Sequence, residues 1–174
     1  MKADTGSIVP LASHAEEARG YRVPPCPVPI PLYKVSLMTV DNKQIVIDFI
    51  EAMGRGDREA FANCLAPGAI ANAMGFAKIS GTRQYDMMVN SVEAFKQIWP
   101  GGLRPEFKTV TSEGNRAVVE FEGNAKLPDG TPYCNQYAMV FTLEGGKIRQ
   151  VNEYFCTTLA DQVMLPALAK LGLL

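Results

Sequence analysis

Four long strand-like runs crowd the second half of the chain, and only turn-sized gaps separate them. They are Phe107 to Ser112, Arg116 to Leu127, Tyr133 to Leu143 and Lys147 to Cys156. Glu113-Gly114-Asn115, Asp129-Gly130 and Gly145-Gly146 punctuate them, and glycine-bearing breaks of this kind mark turns. Parallel neighbours need a crossover of about a dozen residues or more, so these runs predict an antiparallel meander. One face of such a sheet is apolar and needs a cover.

The cover comes from upstream. Asp41 is a good N-cap, and Gln44 stands where a capping box would place it. Ile45, Val46, Phe49, Ile50 and Met53 then follow at helical spacing, and Gly54-Arg55-Gly56 stops the helix. Asp57 caps a short second helix carrying Phe61, Cys64 and Leu65, which Pro67-Gly68 ends. Ala69 to Met74 reads as a strand. A longer helix is predicted from about Gln84 to Trp99, with Met88, Val92, Phe95 and Trp99 on one stripe. A last helix is broken at Pro166. The expected fold is therefore α+β, a curved and mostly antiparallel sheet wrapped by N-terminal helices around an apolar pocket.

Residues 1–37 read differently. Six of the twelve prolines lie there, and Val23 to Pro31 favours an extended, polyproline-like arm. Met38 has the look of a natural start. The expected organisation is an extension over 1–37 and one domain over 38–174.

Several function classes drop out on composition. The formal net charge is -1 and no basic cluster stands out, so neither nucleic acid nor an acidic membrane surface is an expected partner. Apolar stretches such as Ile45 to Ile50 are too short to span a bilayer, and the N-terminus lacks the apolar run of a signal peptide. Cys26, Cys64, Cys134 and Cys156 form no C-x-x-C pair, which argues against a metal cage or redox motif and fits a cytoplasmic location. The one histidine, His14, lies outside the expected domain. A Ser-His-Asp triad, a Cys-His pair or a His-ligated metal cannot be assembled from the domain, and no cofactor is expected. Acid–base chemistry falls to carboxylates, tyrosines or lysines.

Strand periodicity nominates the residues. Tyr133, Asn135, Tyr137, Met139 and Phe141 share one face, mixing aromatic bulk with polar tips as small-molecule pockets do. Trp99 and Met139 would help shape that pocket. Glu120 and Glu122 alternate on one strand, a pattern that usually marks a solvated face. Glu153 sits among apolar neighbours, so its partial burial is plausible, and a buried carboxylate invites a chemical role.

At this point a family resemblance enters. VDNKQIVIDFIEAMGRGDREAFANCLAPGAIANAMG resembles the opening of the nuclear transport factor 2-like superfamily. Gly146-Lys-Ile-x-x-Val-x-Glu-Tyr-Phe155 resembles its closing strand. Polyketide cyclases of the SnoaL-like type, ketosteroid isomerases and limonene-1,2-epoxide hydrolases belong there, and the last look closest. The resemblance implies a cone-shaped sheet, a homodimer through the outer sheet face, and inward positions for Glu122 and Glu153 with Glu120 beside them. It also sets alanines, Ala71 and Ala73, near the positions where the epoxide hydrolases hold water, with Asn72 between, and Cys156 where many cyclases carry an aspartate.

Three clustered carboxylates cannot all ionise cheaply, which separates an acid from a base, and Arg149 or Arg83 is a candidate to offset part of their charge. The expected function is cofactor-independent acid–base catalysis, of lyase or isomerase type, on a small, largely apolar ring compound. Glu122, Glu153 and Glu120 are the candidate catalytic residues, and Tyr133, Asn135, Tyr137, Met139, Trp99 and Asn72 the candidate substrate-binding ones. Two alternatives stand beside it. One is epoxide hydrolysis, with water held by Asn72, Asn135 or Tyr137. The other is a non-catalytic small-molecule-binding domain.

Overall fold

Asp41 does open a helix. Its carboxylate accepts from the backbone N–H groups of Lys43 and Gln44 at 3.1 and 3.3 Å, satisfying two otherwise orphaned donors. The capping box is incomplete, because the Gln44 amide donates one turn onward to Asp48 at 2.8 Å. The structure is a computed structural model describing residues 41–173; the proline-rich stretch, His14 and Cys26 lie outside the described residues.

Helix α1 (Asn42–Arg55) buries Val46, Phe49, Ile50 and Met53, and left-handed Gly56 ends it. Gly54 has a separate task. Its carbonyl accepts from Leu103 N–H at 2.9 Å, and a Cβ there would overlap the Leu103 carbonyl oxygen. Gly54→Ala is therefore expected to destabilise the protein by about 1–3 kcal/mol, despite the better helix propensity of alanine. Urea unfolding measures this directly.

Helix α2 (Arg58–Cys64) is capped by Asp57, which accepts from Ala60 N–H at 3.1 Å. Strand β1 (Leu65–Ala73) follows at once. Pro67-Gly68 does not end the helix; it forms an irregularity within the strand, where the register slips between Leu65 and Ile70. A short strand β2 (Gly81–Gln84), not expected from the sequence, precedes α3 (Tyr85–Ile98). The four long strands follow as β3 (Arg104–Glu113), β4 (Arg116–Lys126), β5 (Pro132–Glu144) and β6 (Lys147–Phe155). The chain finishes with α4 (Thr157–Leu159), a π-helical turn over Ala160–Met164 and α5 (Leu165–Lys170). Pro166 lies in the first turn of α5, where a missing N–H costs nothing, so the helical irregularity precedes it rather than starting at it.

The six strands form one sheet in the order β2-β1-β6-β5-β4-β3. The β3–β6 meander is antiparallel as expected, and β1 joins it in parallel against β6. The helices cover one face. Phe49 of α1 stacks on Phe61 of α2 with ring centroids 4.4 Å apart and meets Phe141 of β5 edge-on at 5.6 Å. Val119, Phe121, Met139, Ile148 and Val151 complete this buried layer. No helix among the described residues is long and apolar enough to cross a membrane.

Candidate active site

Pairing across the sheet sets the side chains in rows. Val119, Met139, Glu153 and Ala73 stand side by side on β4, β5, β6 and β1. Phe121, Tyr137 and Phe155 form the next row. Both rows lie on the helix-covered face, because their members are the buried partners in the alternation. Glu153 is thus a carboxylate inside an apolar layer, and its side chain is 17% exposed.

A cation reaches it from β2. Arg83 stands opposite Ala71 on the same face, and its Nη1 lies 3.8 Å from Glu153 Oε2. The other end of the guanidinium donates to the Ile79 carbonyl at 2.8 Å. Burial pushes the Glu153 carboxyl up from its ordinary pKa, and Arg83 offsets part of that rise. Arg149, the other cation nominated by the sequence, instead donates to the Pro67 carbonyl at 2.7 Å.

Two phenols adjoin this row. Tyr137 stacks on Phe121 with centroids 4.7 Å apart, and its hydroxyl donates to the Tyr133 hydroxyl at 3.5 Å. Gly123 makes the room, since a Cβ there would press on both Tyr137 and Leu103. Burial raises the Tyr137 pKa well above the ordinary phenol value, with the neighbouring Tyr133 and Glu153 adding to it. Burial also raises Tyr133, and its bonds from Tyr137 and Asn135 work the other way.

Asn135, 2% exposed, spends its whole hydrogen-bonding capacity inside the protein. Its amide donates to Tyr133 Oη and the Cys156 carbonyl, and its oxygen accepts from the Gln136 and Cys156 N–H groups. It braces the site and has no bond left for a water or substrate. Tyr133 accepts from both Asn135 and Tyr137, which leaves its own hydroxyl proton uncommitted among the described residues. Trp99, 3% exposed, stacks on Tyr133 at 5.6 Å, and its indole Nε1 is buried without a partner among the described residues.

The other candidates do not join them. Glu120 and Glu122 pair with Ala138 and Gln136, on the opposite face of the sheet from Glu153. The expectation of three inward carboxylates thus fails for two of them, because the two-residue period of the strand sends them outward with Val118. Glu122 lies 3.5 Å from Lys108 and accepts from Gln136 at 3.3 Å. Asn72 also points outward, bonded to Asn152 and Thr82 at 2.8 Å each, while Ala71 and Ala73 occupy the inward positions. Phe49, Phe61, Met88 and Phe141 are buried between the helices and the sheet. Arg83 was named by the sequence only as a possible counterion; with β2 unrecognised, nothing could place it.

Residues 46–151 match the family model described as the SnoaL-like domain. No protein of curated function matches the sequence. Among solved structures, a putative SnoaL-like polyketide cyclase from Jannaschia sp. CCS1 is 14% identical, with a TM-score of 0.60 over 76% of this chain and 96% of that one. A nuclear transport factor 2-like protein from Burkholderia xenovorans LB400 is 22% identical, with a TM-score of 0.57 over 74% and 98%. A hypothetical protein with a ketosteroid isomerase-like fold from Catenulispora acidiphila DSM 44928, in complex with trimethylamine, is 15% identical, with a TM-score of 0.59 over 71% and 95%. These likenesses establish the nuclear transport factor 2-like fold and do not single out the epoxide hydrolases within it. With more than half its length matched, the chain belongs to the SnoaL-like domain family.

Proposed function

We propose that the protein is a cofactor-independent acid–base enzyme of isomerase or lyase type, acting on a small, largely apolar, ring-containing carbonyl compound. The observation that carries this reading is Glu153, a carboxylate set in an apolar row with its pKa raised by burial. A carboxylate poised above its ordinary range is a better base near neutral pH. Glu153 takes a proton from carbon next to the carbonyl, and the electrons of that bond move onto the carbonyl oxygen. The free Tyr133 proton, backed by the Tyr137 bond, then donates to the developing oxyanion. Returning the proton at another carbon is isomerisation; taking the proton instead from a hydroxyl β to the carbonyl, so that a new carbonyl forms, the Cα–Cβ bond breaks and its electrons pass to the carbonyl oxygen, is retro-aldol cleavage.

Glu153 and Arg83 form an ion pair at 3.8 Å, beyond hydrogen-bonding range, so Arg83 steadies the carboxylate by charge rather than by a hydrogen bond. The inward alanines at 71 and 73 and the saturated Asn135 offer little to hold an attacking water, which places epoxide hydrolysis second.

The test is deuterium exchange at the α-carbon of a panel of cyclic ketones in heavy water, followed by NMR. Protein-dependent exchange is expected, and Tyr133→Phe should slow it by about 10²-fold, the typical effect of removing one oxyanion donor. Ketone-induced chemical shift changes at Tyr137 with no exchange would mark a binding domain instead. Solvent oxygen-18 entering a diol product from a cyclic epoxide would mark a hydrolase.

A further inference from the structure

The loop between β1 and β2, residues 74–80, borders the Glu153 site. Met74 N–H donates to the Glu153 carbonyl at 2.9 Å, and the Ile79 carbonyl is the acceptor that holds Arg83. The loop closes on itself through Ser80, whose N–H donates to the Ala77 carbonyl and whose Oγ accepts from Ala77 N–H. Among the described residues, its side-chain anchor to a distant element is Asp161, on the π-helical turn after β6. Asp161 Oδ2 accepts from Lys78 N–H at 3.0 Å, and Oδ1 accepts from Ile79 N–H at 3.2 Å. Two adjacent backbone donors on one carboxylate fix a short segment in both position and orientation. The π turn is part of the placement, since an extra residue in a turn shifts which side chains face a neighbour, and such turns often mark functional sites.

These bonds form a continuous relay. Asp161 holds Ile79 by its N–H, Ile79 holds Arg83 by its carbonyl, and Arg83 faces Glu153. We propose that Asp161 is a positioning residue for Glu153, setting the electrostatic environment of the carboxylate by clamping the loop that orients Arg83. The inference builds on the role given to Glu153 above, but it concerns the free protein and needs no substrate. Besides burial, the group that acts on Glu153 is Arg83 from β2, and Glu153 in turn raises Tyr137 of β5. Arg83 favours the ionised carboxylate, so loosening Arg83 moves the titration of Glu153 upward.

The test is a carbon-13 NMR titration of the Glu153 side-chain carboxyl in the full chain, as wild type and as Asp161→Ala and Asp161→Asn. Asp161→Asn keeps one acceptor and sets an N–H₂ against an amide, so it weakens the clamp without emptying the position. The Glu153 midpoint is expected to rise in both variants, further in Asp161→Ala, with the Lys78 and Ile79 amide signals shifting alongside. Should Asp161→Ala not fold, Asp161→Asn decides alone. Shifted loop amides with an unmoved Glu153 midpoint would reduce Asp161 to a structural clamp and overturn the proposal. Ketone exchange measured on the same samples keeps the two ideas apart. A moved midpoint without exchange in the wild type upholds the relay and removes the enzyme reading.

Discussion

Glu153→Gln is expected to slow α-proton exchange by roughly 10²- to 10⁴-fold, the usual contribution of a positioned general base. The amide is nearly isosteric but cannot accept a proton at neutral pH. Glu122→Gln and Glu120→Gln serve as controls, because both residues lie on the other face of the sheet. They should leave exchange within about twofold, since groups outside the site contribute little to transition-state stabilisation. The same substitution carries a stability signature with a definite sign. A carboxyl whose folded pKa is raised binds its proton more tightly when folded than when unfolded. The stability it contributes is complete below the unfolded value and is lost as pH rises through the folded value. Wild type therefore loses stability across the window from the ordinary carboxyl range up to the raised Glu153 value, and Glu153→Gln does not. At neutral pH the inactive variant should be at least as stable as the wild type, the usual trade at a functional group. Chemical denaturation at pH 4 and pH 7.5 checks it.

The largest effect on stability is expected for Phe49→Ala, at about 3–5 kcal/mol. Phe49 is 1% exposed and joins three elements at one point. It stacks on Phe61 of α2 and meets Phe141 of β5 edge-on, while anchoring α1 itself. Truncation loses the transfer free energy of the ring and leaves a cavity that three independently anchored walls cannot close. A domain of this size typically holds only about 5–15 kcal/mol of stability, so the variant should unfold at markedly lower denaturant. Leu at position 49 should recover a large part of the loss, because volume-conserving changes are tolerated best. An alanine variant costing under about 1 kcal/mol would mean that this aromatic junction does not organise the core.

The long strands and first helices were legible because each carries its own local evidence. Asp41 and Asp57 cap as their side-chain chemistry dictates, and β3 to β6 meander because their connections allow nothing else. Features that rest on distant partners were not legible. The parallel pairing of β1 with β6, the short β2 and the use of Gly54 as a contact point with Leu103 are of this kind. The site divides the same way. Alternation correctly grouped Tyr133, Asn135, Tyr137 and Met139 on one face. It also offered the solvated face as the ordinary reading of Glu120 and Glu122, and the family resemblance drew them inward against that reading. A one-residue difference in alignment reverses the face of a strand residue, which is why a distant resemblance is a weak guide to which carboxylate points in. Asp161 carried no pattern at all, since its importance lies in two amides of a loop far away in sequence.

The proposed chemistry requires that burial in the apolar row prime Glu153 as a base. A carbon-13 NMR titration of its side-chain carboxyl in the wild-type protein tests this most directly. A midpoint above the ordinary glutamate range is expected, shifting further upward in Arg83→Met. A midpoint at or below that range, insensitive to Arg83, would contradict it.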